Sequence, residues 1–138
     1  MKKFKKLIAV VLTVILSLSV MSVVAFASTT DSLKRTDDGT WLYMENGEHN
    51  ADYTGLVKYY DTWYYVENGE LNWNYTGLTN YYGTWYYCEG SVLNWDYTGL
   101  TKYYGTWYYV KKGVLDWNYT GYTYYYGTRY YVRKGILA

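Results

Sequence analysis

The residues able to do chemistry are few and badly spaced for catalysis. His49 is the only histidine and Cys88 the only cysteine. A serine or cysteine nucleophile needs a base within hydrogen-bond reach, and a second partner to orient that base. One histidine offers no such set. A zinc site wants several His or Cys ligands, so no metal and no cofactor is expected. Asp96 and Asp116 are read as a recurring carboxylate, with Asn74 and Asn118 alongside. Paired carboxylates could hydrolyse a glycosidic bond, but a turn-forming role for Asp and Asn is the simpler account. His49 is read as an exposed turn residue, and Cys88, which stands where other units carry a strand valine, as a small buried hydrophobe. The chain is therefore not expected to be an enzyme.

The residues that do recur at fixed spacing are aromatic. Trp41, Trp63, Trp85, Trp107 and then Arg129 each follow the last by 22 positions. The Tyr-Thr-Gly triplet ending at Gly55, Gly77, Gly99 and Gly121 keeps the same step, as do Trp73, Trp95 and Trp117. A flat ring presented repeatedly can stack on a sugar face or surround a cation. The candidate ligand-binding residues are Trp63, Trp85 and Trp107 with Tyr65, Tyr87 and Tyr109 on the same strands, and Trp73, Trp95 and Trp117 in the connecting turns.

Positioning these rings requires hairpins. In residues 97–118, positions 100–104 read as one strand, rich in β-favouring side chains. Positions 107–110 read as the second, with Trp107 and Tyr109 on one face and Tyr108 and Val110 on the other. The first turn is either Tyr104-Gly105 or Gly105-Thr106, and the two registers exchange cross-strand partners. Lys111, Lys112 and Gly113 make a second turn. A hairpin this short is marginal alone in water, whereas stacked equivalents bury a shared face and stability becomes a sum over neighbours. The expected fold is all-β, a β-solenoid of stacked hairpins with a repeat of about 22 residues, covering residues 36–138 as five units. The terminal units are degenerate: Asp37 and Asp38 stand where later units carry two tyrosines, His49 and Ala51 replace Leu and Trp, and Arg129 replaces Trp. Leu, Ile, Val and Met are few, so Tyr and Trp are expected to supply much of the buried area.

The N-terminus is an address. Lys2, Lys3, Lys5 and Lys6 precede an apolar run over residues 7–24, and Ala25-Phe26-Ala27 offers small residues where a signal peptidase reads them. Residues 1–27 are expected to be a signal peptide and residues 28–35 a short lead-in, making the protein secreted and leaving no stable membrane insertion after cleavage. The run is about long enough to span a bilayer, so an uncleaved anchor is the alternative. Cleavage leaves nine Lys and Arg against twelve Asp and Glu. A slightly acidic chain argues against a nucleic-acid partner, which needs a cationic surface. A lone cysteine forms no intramolecular disulfide.

Thr98-Gly99-Leu100, Gly105-Thr106-Trp107-Tyr108-Tyr109 and Gly113-Val114-Leu115 resemble, in order and spacing, the choline-binding and glucan-binding cell-wall repeats of Gram-positive surface proteins, and the related repeats of large clostridial toxins. That resemblance implies a hairpin solenoid with ligand sites between successive repeats, a place at the cell wall or cell surface, and, in choline-binding members, an aromatic cage for a quaternary ammonium. Four such sites would be expected here, cooperating through avidity. The tryptophan that usually follows Thr-Gly is Leu56, Leu78, Leu100 and Tyr122 in this chain, which would remove one cage wall. Trp73, Trp95 and Trp117 add aromatics the choline pattern lacks. The expected partner is thus a cell-wall polymer or glycan, ahead of choline. The alternative is a structural or adhesive surface protein that self-associates or contacts a host glycan.

Overall fold

The computed structural model describes residues 32–138. The expected signal peptide and the first part of the lead-in lie outside them. Fifteen strands form one antiparallel sheet: β1 Leu33–Arg35, β2 Trp41–Glu45, β3 Glu48–His49, β4 Gly55–Tyr59, β5 Thr62–Glu67, β6 Glu70–Leu71, β7 Gly77–Tyr81, β8 Thr84–Glu89, β9 Val92–Leu93, β10 Gly99–Tyr103, β11 Thr106–Lys111, β12 Val114–Leu115, β13 Gly121–Tyr125, β14 Thr128–Arg133 and β15 Ile136–Leu137. Among the described residues there is no helix long and apolar enough to cross a membrane.

Each period is a long hairpin followed by a short strand. In β10–β11 Tyr103 pairs with Thr106, so the turn is Tyr104-Gly105, which resolves the two registers left open by the sequence. Both turn residues have positive φ, 44° and 85°, the signature of a type I′ turn that follows the natural twist of the strands. The short strand joins the units. β12 pairs with its own β11 and also with β8 of the preceding unit, through Val114 and Tyr86. β6, β9 and β15 make the same double connection. One two-residue strand per period therefore carries the sheet from unit to unit.

The Tyr-Thr-Gly triplet is the joint. The Tyr97 hydroxyl donates to the carbonyl of Leu100, and its ring stacks on Tyr87 at 3.9 Å between centroids. Thr98 Oγ1 accepts from the Lys112 N–H at 3.0 Å, which caps the second turn of the next hairpin. Gly99 has φ +158°, a region essentially closed to other residues. The same bonds recur at Tyr53, Tyr75 and Tyr119, and at Thr54, Thr76 and Thr120.

The core lies between units, with aliphatic residues at its centre and buried or half-buried Tyr and Trp around them. Leu78 and Tyr87 of one unit meet Val110 and Leu115 of the next, ringed by the half-buried Trp85, Tyr97, Tyr103 and Tyr108. Equivalent clusters form around Leu56 and Leu100. Few aliphatic residues suffice because each cluster takes only two to four, three of the clusters add a buried tyrosine, and half-buried rings form the rind. Cys88 stands in the valine position with 0% exposure, and burial pushes its thiol up to about 12. It is a packing residue, protonated at neutral pH.

Candidate functional site

Perpendicular aromatic corners line the contact between successive units. Trp63 at the start of β5 meets Tyr81 at the end of β7, 4.9 Å between centroids and inclined at 64°. Tyr81 meets its neighbour Tyr82 at 4.6 Å and 86°. Three rings thus form a corner drawn from two units. The same corner is built by Trp85, Tyr103 and Tyr104, by Trp107, Tyr125 and Tyr126, and by Trp41, Tyr59 and Tyr60.

The corner opens into a groove of about 540 Å³ that also carries Tyr43, Tyr53, Leu56, the carboxylate of Glu45 and, on its lining, Lys58. Asn50 donates to that carboxylate at 2.7 Å, and Asn72 and Asn94 do the same for Glu67 and Glu89 at 3.0 and 2.9 Å. The rings act on one another electrostatically. Burial raises Tyr53 to about 12, with Tyr43, Tyr81, Tyr82 and Glu45 adding to the rise. Tyr75 and Tyr97 are raised by burial in the same manner, with Tyr103 and Tyr104 near the first and Tyr125 and Tyr126 near the second. The phenols therefore remain neutral and present electron-rich faces beside a carboxylate. That combination attracts a cation whose own surface is apolar.

Three complete sets of tyrosines, glutamate and tryptophan occur among the described residues, rather than the four expected: Glu45 with Trp63, Glu67 with Trp85, and Glu89 with Trp107. At the next step of the period Lys111 replaces the glutamate and Arg129 replaces the tryptophan. Both departures fall on one groove position and place two cations there, whereas the other sets carry at most one lysine: Lys58 lines the groove of Trp63, and Lys102 Nζ lies 5.9 Å from the Trp107 ring centroid. Arg129 instead stacks over Tyr122 at 4.5 Å.

The residues picked out in the sequence separate into three groups. Trp63 lines the groove, and Trp85 and Trp107 stand in the equivalent corners. Tyr65, Tyr87 and Tyr109 are buried, each with one face stacked on Tyr75, Tyr97 or Tyr119; Tyr65 and Tyr87 hold the position that Tyr43 holds in the first groove, near Glu67 and Glu89 respectively. Trp73, Trp95 and Trp117 are 52%, 51% and 47% exposed, on a ledge beside the grooves. Sequence reasoning missed Tyr81, Tyr82, Tyr103, Tyr104, Tyr125 and Tyr126. The signal for them was the tyrosine pair directly ahead of each turn glycine, its second member standing where a type I′ turn prefers Asn or Gly.

Leu56, Leu78 and Leu100, read in the sequence as a lost cage wall, are core residues at 2% exposure. Leu56 also lines the groove beside Trp63 and Tyr81, so the wall at that position is aliphatic. The carboxylates also need a correction. Asp96 and Asp116 are not equivalent: Asp116 shares its position with Asn94, and Asp96 with Asn118. The Asx turn is closed by Asn50, Asn72, Asn94 and Asp116, whose side chains accept from the N–H two residues on at 2.9–3.0 Å. His49 is exposed and lies 3.1 Å from the carbonyl of Gly69. Among the described residues no three His, Cys, Asp or Glu side chains gather as a metal site.

No curated protein matches this sequence. Similar solved structures include the choline binding domain of a Streptococcus pneumoniae protein, at 27% identity and a TM-score of 0.35, covering 64% of this chain and 98% of that one. Choline binding protein F of the same organism is 29% identical with a TM-score of 0.33 over 79% of this chain, and the chain spans 34% of that protein's length. A structure of protein F in complex with ipratropium gives 28% identity and a TM-score of 0.34, covering 79% of this chain and 33% of that one. The choline-binding repeat matches at residues 52–72, 74–94, 96–116 and 118–138. These four stretches make up more than half of the sequence and run in phase with the hairpins, and on that ground the chain belongs to the choline-binding repeat family.

Proposed function

We propose that this chain is a secreted, non-catalytic module that holds choline-bearing cell-wall polymers in the grooves between its hairpins. The observation that carries this reading is the corner of Trp63, Tyr81 and Tyr82 sharing a groove with Glu45, repeated twice more along the chain. A trimethylammonium group is a cation with a methyl surface. Ring faces bind it at about 0.5–2 kcal/mol per contact, and a nearby carboxylate completes the charge. A sugar ring would gain from one flat ring but has no need of three mutually inclined ones. The expectation from sequence, which placed wall glycan ahead of choline in these grooves, is therefore reversed. Stacked hairpins, read as turns of a β-solenoid, would hold the three grooves at fixed separations. A polymer carrying many choline groups could then engage them together, with the avidity that such linkage brings.

The test is calorimetric titration of residues 28–138 with choline, alongside retention on a choline resin. Three sites are expected for the wild type. Trp85→Ala should leave two and weaken retention on the resin severalfold. Absence of both heat and retention at millimolar choline would overturn the assignment.

A further inference from the structure

The indoles of Trp73, Trp95 and Trp117 have no part in the grooves. Each stands edge-on to the central tyrosine of the preceding strand: Trp73 to Tyr64 at 6.0 Å and 85°, Trp95 to Tyr86 at 5.9 Å and 82°, Trp117 to Tyr108 at 5.9 Å and 81°. About half of each side chain faces solvent. The backbone beneath is clamped by the next unit. A Cβ on Gly113 would lie 3.0 Å from the Trp95 Cα, and one on Gly135 would lie 3.0 Å from the Trp117 Cα. An exposed tryptophan held this firmly and repeated at one spacing is a pre-organised platform, and packing within the chain does not account for the exposed face.

The surroundings of Trp95 are mixed, with Val92 and Leu93 beside acidic and carboxamide groups, and at Trp117 Lys111 stands where Glu89 does. Beside Trp95 lies a depression of about 380 Å³ lined by Glu89, Asn94 and Asp96 among others. Glu89 accepts from Asn94 and is also the carboxylate of the Trp107 set, so Asp96 is the acid that belongs to the ledge alone. Carboxylates disfavour a phosphate-rich polymer or a nucleic acid. Isolated rings set among polar groups do not make the continuous dry patch that a protein partner requires. A pyranose ring fits both features: its C–H face lies on the indole and its hydroxyls donate to the carboxylates and the carboxamide.

We propose that Trp73, Trp95 and Trp117 form a second binding surface, separate from the grooves, that takes the pyranose rings of a neutral or amino-sugar glycan strand. Sugar binding here does not require choline binding in the grooves, and the two can be tested apart. The experiment is native affinity electrophoresis of residues 28–138 in gels containing glycol chitin or hydroxyethyl cellulose, with and without saturating choline. The wild type and Trp85→Ala should both be retarded by at least one polymer, and choline should not relieve the retardation. Trp73→Ala/Trp95→Ala/Trp117→Ala should lose it, with apparent affinity falling more than about tenfold as three linked contacts go together. That triple variant should keep its retention on the choline resin, which reports an intact fold. If it does not fold, the three single variants replace it, and each should bind the polymer more weakly than the wild type. Absence of retardation in both gels, relief by choline, or unchanged binding by the variants would overturn the proposal. Glycan retardation in a protein that ignores choline would instead overturn the groove reading alone.

Discussion

Ser91 shows how strictly single positions are held. The units before and after place Gly69, Gly113 and Gly135 there, and a Cβ on those glycines would come within 2.2–2.6 Å of a carbonyl oxygen in the preceding unit. Ser91 has φ +64°, is fully buried, and its hydroxyl has no hydrogen-bond partner. Its backbone nonetheless keeps the family of bonds, donating to Tyr75 and accepting from Tyr65 at 2.8 Å each. A side chain thus occupies a place built for none, and its polar atom is left dry. Left-handed strain and an unpaired buried hydroxyl each cost about 1–3 kcal/mol, against less than about 1 kcal/mol for the greater freedom of glycine in the unfolded chain. Ser91→Gly is expected to stabilise the protein by about 1 kcal/mol or more, read as a higher urea midpoint with unchanged slope.

At the scale of the element, the hairpin tips set stability against binding. Tyr60, Tyr82, Tyr104 and Tyr126 occupy the first position of their turns with φ between 44° and 51°. Side chains as bulky as tyrosine avoid this region, and type I′ turns favour Asn there. The rings gain little from burial, since Tyr82 is 92% exposed. A costly conformation kept four times at an exposed position points to use, and the use available is the third wall of the corner. Tyr104→Asn should therefore raise the melting temperature by a few degrees while removing one choline site from the titration. A variant that lost stability, or that bound choline as before, would contradict this account of the tip.

At the scale of the molecule, equivalent interfaces make the units interchangeable. Deleting residues 96–117, one full period, joins Trp95 to Asn118 and lets Tyr119 take the place of Tyr97 against Tyr87. The shortened chain is expected to fold, with choline stoichiometry reduced from three to two, because Trp85 keeps a complete groove and the last position still carries Arg129. An aggregated or unfolded product would show that the interfaces are not equivalent. The shared tyrosine rind also sets the alkaline limit. Tyr53 and Tyr97 rise from 10.0 to about 12 on folding, and Tyr75 rises as well. A raised folded pKa favours the protonated form, so the native state binds more protons than the unfolded chain between these values. Stability from these phenols is complete below about pH 10 and is lost as pH climbs through about 12. Circular dichroism across that window should show one cooperative transition, coincident with tyrosinate absorbance.

How much of this was legible beforehand follows from the range of the forces involved. The period, the hairpins and the approximate place of each turn were readable from the sequence, because strand alternation and turn chemistry are local properties. The cysteine was readable too, since it stands in a valine series. The register of the turn at Tyr104-Gly105 was not, because two neighbouring pairings satisfy the same local preferences until the stacked core selects one. Nor was the division of labour among rings. Tyr65 and Leu56 fall inside while Tyr82 and Trp73 fall outside, and identical residue types cannot reveal which face the neighbouring unit will cover. The groove was the furthest from view. Its tyrosines at 43 and 81 come from units two periods apart, and only the pairing of each short strand with two successive units, with the close approach at Gly113 and its equivalents, decides which of them meet.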